Sequence, residues 1–404
     1  MKHIILINAS GGDRPGITSA ITQVLNRYQA TILDIGQAVI HDTLALGLLV
    51  AVDPAAIGES ELLAELQAAT AELHINIRFT PIDHSNYSHW VEQQGKARYI
   101  VTLLARQVTA GQIADLTDVT VKHGLNIDNI NRLSGRVELD ALDNKSSACV
   151  EFSVRGEPAD LKALRADFME LSTRHEVDIA FQRDTVYRRN RRLVCFDMDS
   201  TLIEAEVIDE LAKAAGVGEQ VAAITEAAMR GELDFKQSFA RRMALLKGLD
   251  ESVLADIAAN LRLTEGAEKL ISSLKKLGYK TAILSGGFQY FGEHVKQRLG
   301  IDYVYANELD IVDGKVTGQV KGDVIDGARK AELLTMLAQR EGIMPEQTIA
   351  VGDGANDLPM LSAAGLGIAF RAKPLVKASA EQAISTLGLD AILYLMGFRE
   401  RDKL

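Results

Sequence analysis

The chain has 404 residues, 47% of them hydrophobic and 25% charged, an ordinary globular composition that excludes disordered and fibrous classes. Its 55 acidic against 44 basic residues leave a formal net charge of −11, a balance that repels polyanions and argues against nucleic-acid or anionic-membrane partners. Two cysteines, Cys149 and Cys195, allow at most one disulfide, and no apolar run approaches the ~18 residues of a membrane span, so the expectation is a soluble, cytoplasmic, multidomain protein.

In chain order, His3 to Ile7 is a β-rich run that leads into the turn-forming Ser10-Gly11-Gly12-Asp13-Arg14-Pro15-Gly16. Ile17, Ile21, Val24 and Leu25 then recur at helical spacing. Strand-like runs at Thr31 to Ile40 and Leu44 to Val52, a helical stretch from Ser60 to Glu72 and an alternating run from His74 to Phe79 complete a βαββαβ order. That order predicts an antiparallel sheet with helices on one face. A shift of 95 residues brings Ile5 onto Ile100, Gly16 onto Gly111, Val24 onto Val119 and Ile32 onto Ile127. An internal repeat is therefore expected, its second copy running from about Arg98 to Phe181. The segment between the copies, Ser85 to Gly95, reads as a polar connector and holds Trp90. Arg183, Arg188, Arg189, Arg191 and Arg192 follow the second copy and read as a solvated linker or as ion-pair partners.

Beyond residue 190 strands and helices alternate, which implies a parallel sheet. Leu193-Val194-Cys195-Phe196 reads as a strand buried on both faces and runs directly into Asp197-Met198-Asp199-Ser200-Thr201. Open parallel sheets place ligands at the carboxyl ends of their strands, and an Asp-x-Asp pair there is costly without a cation. Mg²⁺, which takes oxygen ligands, suits it. Asp199, Ser200 or Thr201 could equally cap the helix that follows. A second buried run, Lys280 to Leu284, ends in Ser285-Gly286-Gly287, where backbone N–H groups can approach a phosphate; an ordinary strand-to-helix turn has the same composition. Lys330 stands at the front of the helical stretch Ala328 to Gln339, where a cation opposes the helix dipole and can serve an anion. Thr348 to Val351 leads into Gly352-Asp353-Gly354-Ala355-Asn356-Asp357, a third strand end with two more carboxylates.

In that order, DMDST, the serine of LSGG, Lys330 and GDGAND resemble the four motifs of haloacid-dehalogenase-type phosphohydrolases. The segment from Glu204 through Met229-Arg230-Gly231-Glu232-Leu233-Asp234-Phe235 to Arg241-Arg242 is similar to the helical cap of the phosphoserine phosphatase family. The N-terminal copies resemble tandem ACT domains; Asp13-Arg14-Pro15-Gly16 is similar to their first-loop pattern, whereas the second copy has Gln107-Val108-Thr109-Ala110-Gly111 there. The fold class implied is α/β: a Rossmann-like parallel-sheet phosphatase domain with a small helical cap, preceded by two βαββαβ, ferredoxin-like modules. The expected boundaries are 1–84, 97–183 and 190–404, with the cap at about 202–265.

The resemblance also implies roles. Asp197 would be the nucleophile forming an aspartyl-phosphate, and Asp199 the general acid and base. Mg²⁺ would be held by Asp197, Asp353 and the main-chain oxygen of Asp199, with Asp357 supporting that site. Ser285, Gly286 and Lys330 would hold the phosphoryl oxygens. Glu206 would pair with the substrate ammonium, Arg242 with its carboxylate, Phe235 would line the pocket and Asn356 would contact phosphate or substrate. The activity implied is Mg²⁺-dependent hydrolysis of phosphoserine, with an amino-acid effector at the N-terminal modules and a homodimer formed through them. Transfer of the phosphoryl group to another alcohol, and a non-catalytic amino-acid sensor, are the competing readings.

Overall fold

The computed structural model describes residues 2–53, 58–138 and 146–402. Contacts divide the chain into two compact units, Met1–Lys96 and Ala97–Leu404.

The first unit is built on β1 (His3–Gly12), β2 (Thr31–Ile40), β3 (Thr43–Val52) and β4 (Asn76–Ile82), antiparallel in the order β2-β3-β1-β4. Strict alternation makes the sheet one-sided: Ile5, Ile7, Leu44, Leu46, Leu48 and Val50 point into the core. There they meet Ile17, Ile21, Val24 and Leu25 of the helix Ile17–Arg27. The edge strand β2 keeps Ile32, Ile35, Val39 and Ile40 exposed. Ser85 to Gly95, expected as a connector, is mostly the helix His84–Glu92. Asp83 starts that helix by accepting the Asn86 N–H at 2.8 Å, and none of its residues is buried, so no apolar period marks it in the sequence.

The second copy repeats the topology with β5 (Arg98–Ala105), β6 (Asn126–Arg132), β7 (Ala148–Arg155) and β8 (Asp178–Arg183), in the order β6-β7-β5-β8. Its sheet differs from the first in being buried on both faces. Val101 and Leu103 pack under its own helices, while Leu104, Cys149 and Ala180 join the core of the domain that follows. Backbone-like bonds tie the two together: the Gln382 carboxamide accepts from the Phe181 N–H at 2.9 Å and donates to the Phe181 carbonyl at 2.7 Å. Asp178 accepts the N–H groups of Ser385 and Thr386 at 2.8 and 2.7 Å. The arginine-rich stretch divides between surface and core. Arg183, Arg189 and Arg192 are exposed, but Arg188 is buried against Glu151, and Arg191 donates to the carbonyls of Glu346 and Thr348, each at 3.2 Å.

The remaining sheet contains β9 (Leu193–Phe196), β10 (Lys280–Phe288), β11 (Tyr303–Val312), β12 (Lys315–Lys321), β13 (Thr348–Gly352), β14 (Leu366–Phe370) and β15 (Gln382–Ile384). Their order is β12-β11-β10-β9-β13-β14-β15, parallel except for the β11–β12 hairpin. Leu193 and Cys195 face one hydrophobic cluster and Val194 and Phe196 the other, which is why β9 reads as continuously apolar. Cys149 and Cys195 are both free, buried thiols. The cap carries helices Val207–Ala214, Gly218–Met229, Phe235–Leu245 and Ser252–Asn260. Its two connections to the sheet run side by side: Ile203 bridges Leu263, the Glu204 N–H donates to Arg262 O and the Thr264 N–H to Leu202 O, both at 2.9 Å. Among the described residues no helix is long and apolar enough to cross a membrane.

Candidate active site

The parallel order β10-β9-β13 places three strand ends side by side, and each delivers a polar side chain. β9 ends at Asp197, whose N–H donates to Val351 O at 2.8 Å and whose Oδ1 accepts the Met198 N–H at 2.7 Å. β13 ends at Gly352-Asp353. A short 3₁₀ turn, Ala355–Asp357, then folds Asp357 back beneath it, with Asp357 Oδ2 accepting the Gly354 N–H at 2.9 Å. This return needs glycine at 352, where an added Cβ would lie 2.4 Å from the Asp357 carboxyl. Carboxylate oxygens of Asp197, Asp353 and Asp357 lie within 4.8 Å of one another. Asp357, expected to support the metal site, brings its carboxylate among these oxygens.

Lys330 enters this cluster from the helix Gly327–Arg340 and is fully buried. Its ammonium bridges Asp197 Oδ2 at 2.8 Å and Asp357 Oδ1 at 2.7 Å. These two carboxylates hold the lysine's pKa above its ordinary value against the opposing effect of burial. One cation does not neutralise three carboxylates. Burial and then the Asp197 charge push Asp353 up to about 8 and Asp357 to about 7. A hard divalent cation fits such a donor set. Thr201, also fully buried, donates its hydroxyl to Asp353 Oδ1 at 3.1 Å and orients it.

Asp199 stands apart from the metal-type cluster. Its Oδ1 accepts the Val207 N–H at 3.2 Å, at the start of the first cap helix. Its Oδ2 lies where a Cβ on Gly287 would come within 2.5 Å, so only glycine admits the carboxylate there. Burial, then Glu206 and Asp197, raise its pKa well above the carboxylate range. Between Asp199 and the cap, Ser200 holds a left-handed φ of 55° and donates its hydroxyl to Glu206 Oε1 at 2.7 Å.

β10 does not stop at Leu284: it continues to Phe288, and the helix Gln289–Leu299 begins after it. Ser285-Gly286-Gly287 is thus extended backbone beside the carboxylates rather than the first turn of a helix. Buried Ser285 accepts the Gly287 N–H at 2.9 Å. Asn307 donates to Gly286 O at 2.8 Å and accepts the Ile325 N–H at 2.9 Å, clamping this segment to the approach of the Lys330 helix. Phe235 of the cap reaches down to the same place, its ring tip 3.2 Å from where a Gly286 Cβ would be. Phe239 and Phe288 continue the aromatic contact, with centroid spacings of 6.1 and 6.2 Å.

Arg242 is half-buried on the same cap helix as Phe235, its Nε donating to Ser238 O at 3.4 Å. Burial lowers its pKa, outweighing the opposing charges of Glu206, Asp209 and Asp199. Glu206 keeps an exposed surface, yet it sits deep enough in the cleft for desolvation to raise its carboxyl. Asn356 packs its amide oxygen over Gly354, 2.3 Å from where a Cβ there would sit. A cleft of about 530 Å³ opens beside these groups, with Ser200, Glu206, Asp209 and Arg371 in its wall. Thr201 was read from the sequence only as a possible helix cap, and Asn307 and Arg371 were not singled out. Arg371 had a signal, since it directly follows the buried run Leu366–Phe370, a fourth strand end.

With this geometry in view, comparisons with known proteins converge. A family model for haloacid dehalogenase-like hydrolases matches residues 191–365, and one for the ACT domain matches residues 3–80. The chain is 40% identical to a phosphoserine phosphatase of Streptomyces coelicolor over 398 residues, 98% of this chain and 93% of the relative. It is 38% identical to phosphoserine phosphatase SerB2 of Mycobacterium tuberculosis, again over 98% of this chain and 93% of the relative. A crystal structure of a haloacid-dehalogenase-family hydrolase from Salmonella enterica serovar Typhi superposes with a TM-score of 0.63 at 32% identity, covering 74% of this chain and 98% of that one. A structure of a probable phosphoserine phosphatase from Vibrio cholerae superposes with a TM-score of 0.58 at 36% identity, covering 76% and 87%.

Proposed function

Because this chain belongs to the phosphoserine phosphatase family of haloacid dehalogenase-like hydrolases, we propose that it hydrolyses O-phospho-L-serine to L-serine and phosphate through an aspartyl-phosphate on Asp197. The observation that carries the reading is the joint placement of a nucleophile, its counter-cation and a separate, desolvated acid. Asp197 is held by Lys330, while Asp199 lies outside the carboxylate cluster with a raised pKa.

Asp197, its carboxylate paired with Lys330, attacks phosphorus without needing a base. Asp199, its pKa raised by burial and then by the charges of Glu206 and Asp197, gives its proton to the departing serine oxygen and then takes one from the hydrolytic water. Ser285, the Gly286 backbone and Lys330 hold the phosphoryl oxygens. Asp197, Asp353 and Asp357, with the main-chain oxygen of Asp199, would hold Mg²⁺, which when bound supplies charge neutralisation between anionic nucleophile and anionic phosphate. Glu206, oriented by Ser200, receives the ammonium, and Arg242 receives the carboxylate. Phe235 closes the pocket against the Gly286 segment, and Asn356 contacts the phosphate side.

An amino-acid effector at the first N-terminal module is supported by its ACT match. Pairing of two copies through the N-terminal modules is supported by the exposed apolar side chains on β2 and on β6, where Ile130 is exposed. The test is phosphate release from O-phospho-L-serine with Mg²⁺, repeated with EDTA, with added L-serine and with homoserine as acceptor. Metal-dependent release unaffected by the acceptor supports hydrolysis. No release, or phosphoryl transfer to homoserine, overturns it.

A further inference from the structure

The loop that follows β5 occupies, in the second ferredoxin-like module, the place that Asp13 to Gly16 hold in the first. Here it is closed on itself. Thr109 Oγ1 accepts the Gln112 N–H at 3.3 Å, and Gln112 Oε1 accepts the Thr109 N–H at 2.9 Å, a reciprocal box that fixes the start of the helix Ala110–Lys122. The loop's first residue, Arg106, points away from its own module. Its Nη1 and Nη2 donate to Glu265 Oε1 and Oε2, both at 2.9 Å, a two-pronged pairing between residues 159 positions apart.

Glu265 is where the cap rejoins the sheet domain. It directly follows the Ile203–Leu263 bridge and the Thr264-to-Leu202 bond, and it precedes the helix Ala267–Lys276. Its carbonyl accepts the Leu389 N–H at 2.8 Å, which anchors the hinge from the sheet side. The same carboxylate also accepts Nη2 of Arg371 at 2.5 Å. Arg371 stands at the end of β14 with a left-handed φ of 45°, its N–H bonded to Ile384 O at 2.7 Å, and it lines the cleft that contains Glu206 and Ser200. A chain of three ionic groups therefore runs from the second module, through the cap hinge, to the mouth of the substrate cleft. Arg106 and Arg371 are about one-quarter and one-third exposed (27% and 33%) and the shared Glu265 carboxylate is 40% exposed, so water partly screens the chain.

We propose that Arg106 is a positioning residue for the reaction: through Glu265 and Arg371 it holds the cap hinge in the arrangement that presents Glu206 to the substrate. The proposal rests on the phosphatase reading above and assigns the second module a mechanical role in it. When only part of the population is competent to bind, apparent affinity falls by that fraction, whereas turnover of the bound, closed state does not. Releasing the hinge should therefore weaken binding more than chemistry.

The test uses the full chain and the variants Arg106→Ala, Arg106→Lys, Glu265→Gln and Arg106→Ala/Glu265→Gln. The readouts are kcat and KM for O-phospho-L-serine and amide exchange over residues 202–204 and 262–266. Arg106→Ala is expected to raise KM roughly fivefold, within the usual range of inter-site coupling, with kcat held within about twofold. Exchange in both hinge stretches should accelerate. Arg106→Lys should recover part of the loss, and the double variant should be no worse than Glu265→Gln. Unchanged KM and exchange, or additive effects of the two substitutions, would overturn the proposal, as would a fall in kcat alone that tracks thermal stability. Absence of phosphoserine turnover in the unmodified chain would instead remove the substrate assignment. Hinge exchange would then still decide whether Arg106 restrains the cap.

Discussion

The sheet side and the cap side of the cleft are built in opposite ways. On the sheet side, Asp197, Ser285, Lys330 and Asp357 are buried, and bonds of 2.7 to 2.9 Å hold them: Asp197 to the Met198 N–H, Ser285 to the Gly287 N–H, Lys330 to Asp357, and Asp357 to the Gly354 N–H. On the cap side, Glu206 is exposed and Phe235 and Arg242 are half-buried, and the Arg242 bond to Ser238 is long, at 3.4 Å. Under the proposed function, the groups assigned to the phosphoryl are set before substrate arrives, whereas the groups assigned to the amino-acid end sit on the cap. The contrast teaches that chemistry and selectivity are separable in this molecule, because only the first needs a geometry fixed in advance.

Substitutions on the sheet side should break chemistry for every phosphate ester. Asp197→Asn should lower kcat by at least about 10⁴-fold for all substrates while the circular dichroism and thermal midpoint stay near those of the unmodified chain. A residual rate dependent on the other carboxylates would contradict covalent catalysis by this residue. Lys330→Met should abolish turnover and also cost about 3 kcal/mol in urea denaturation, because two buried carboxylates lose their shared cation. A variant as stable as the parent would show that the pair is not effectively desolvated. Asn307→Ala should be smaller, roughly a tenfold loss of kcat shared by all esters, since it frees the Gly286 carbonyl without touching a carboxylate. On the cap side, Glu206→Gln should raise KM for phosphoserine by roughly tenfold and leave p-nitrophenyl phosphate nearly unchanged. Equal effects on both esters would mean that Glu206 supports the fold of the cap rather than its reading of the ammonium.

The two sides also differ in how far the sequence discloses them. Leu193 to Phe196 announces a buried strand, so Asp197 at its end was legible as a ligand-facing residue; the same logic located Ser285 and Asp353. Asp357 was harder to place, because the 3₁₀ turn at Ala355–Asp357 carries it back into the cluster, and a four-residue offset within a loop does not reveal that return. Arg188 was open to an ion-pair reading, but its burial and that of Arg191 were hidden for a different reason. Their partners, Glu151 and the carbonyls of Glu346 and Thr348, lie 37 to 157 residues away, and nothing local distinguishes a buried arginine from a solvated one. Arg106 and Glu265 pair across 159 residues and were invisible on the same ground. The helix His84–Glu92 escaped because it buries no side chain and so carries no apolar period.

Arg242 tests the separation of chemistry from selectivity most directly, because it sits on the cap helix with Phe235 and its bond is to Ser238 O rather than to any group assigned to the phosphoryl. The measurement is kcat/KM for O-phospho-L-serine relative to p-nitrophenyl phosphate, before and after Arg242→Ala. The expected result is a loss of roughly 100-fold for phosphoserine, the magnitude of one charged, two-pronged contact to a carboxylate, with the second ester changed less than about twofold. Equal losses on the two substrates would contradict the division of the cleft into a fixed reaction centre and a hinged reader.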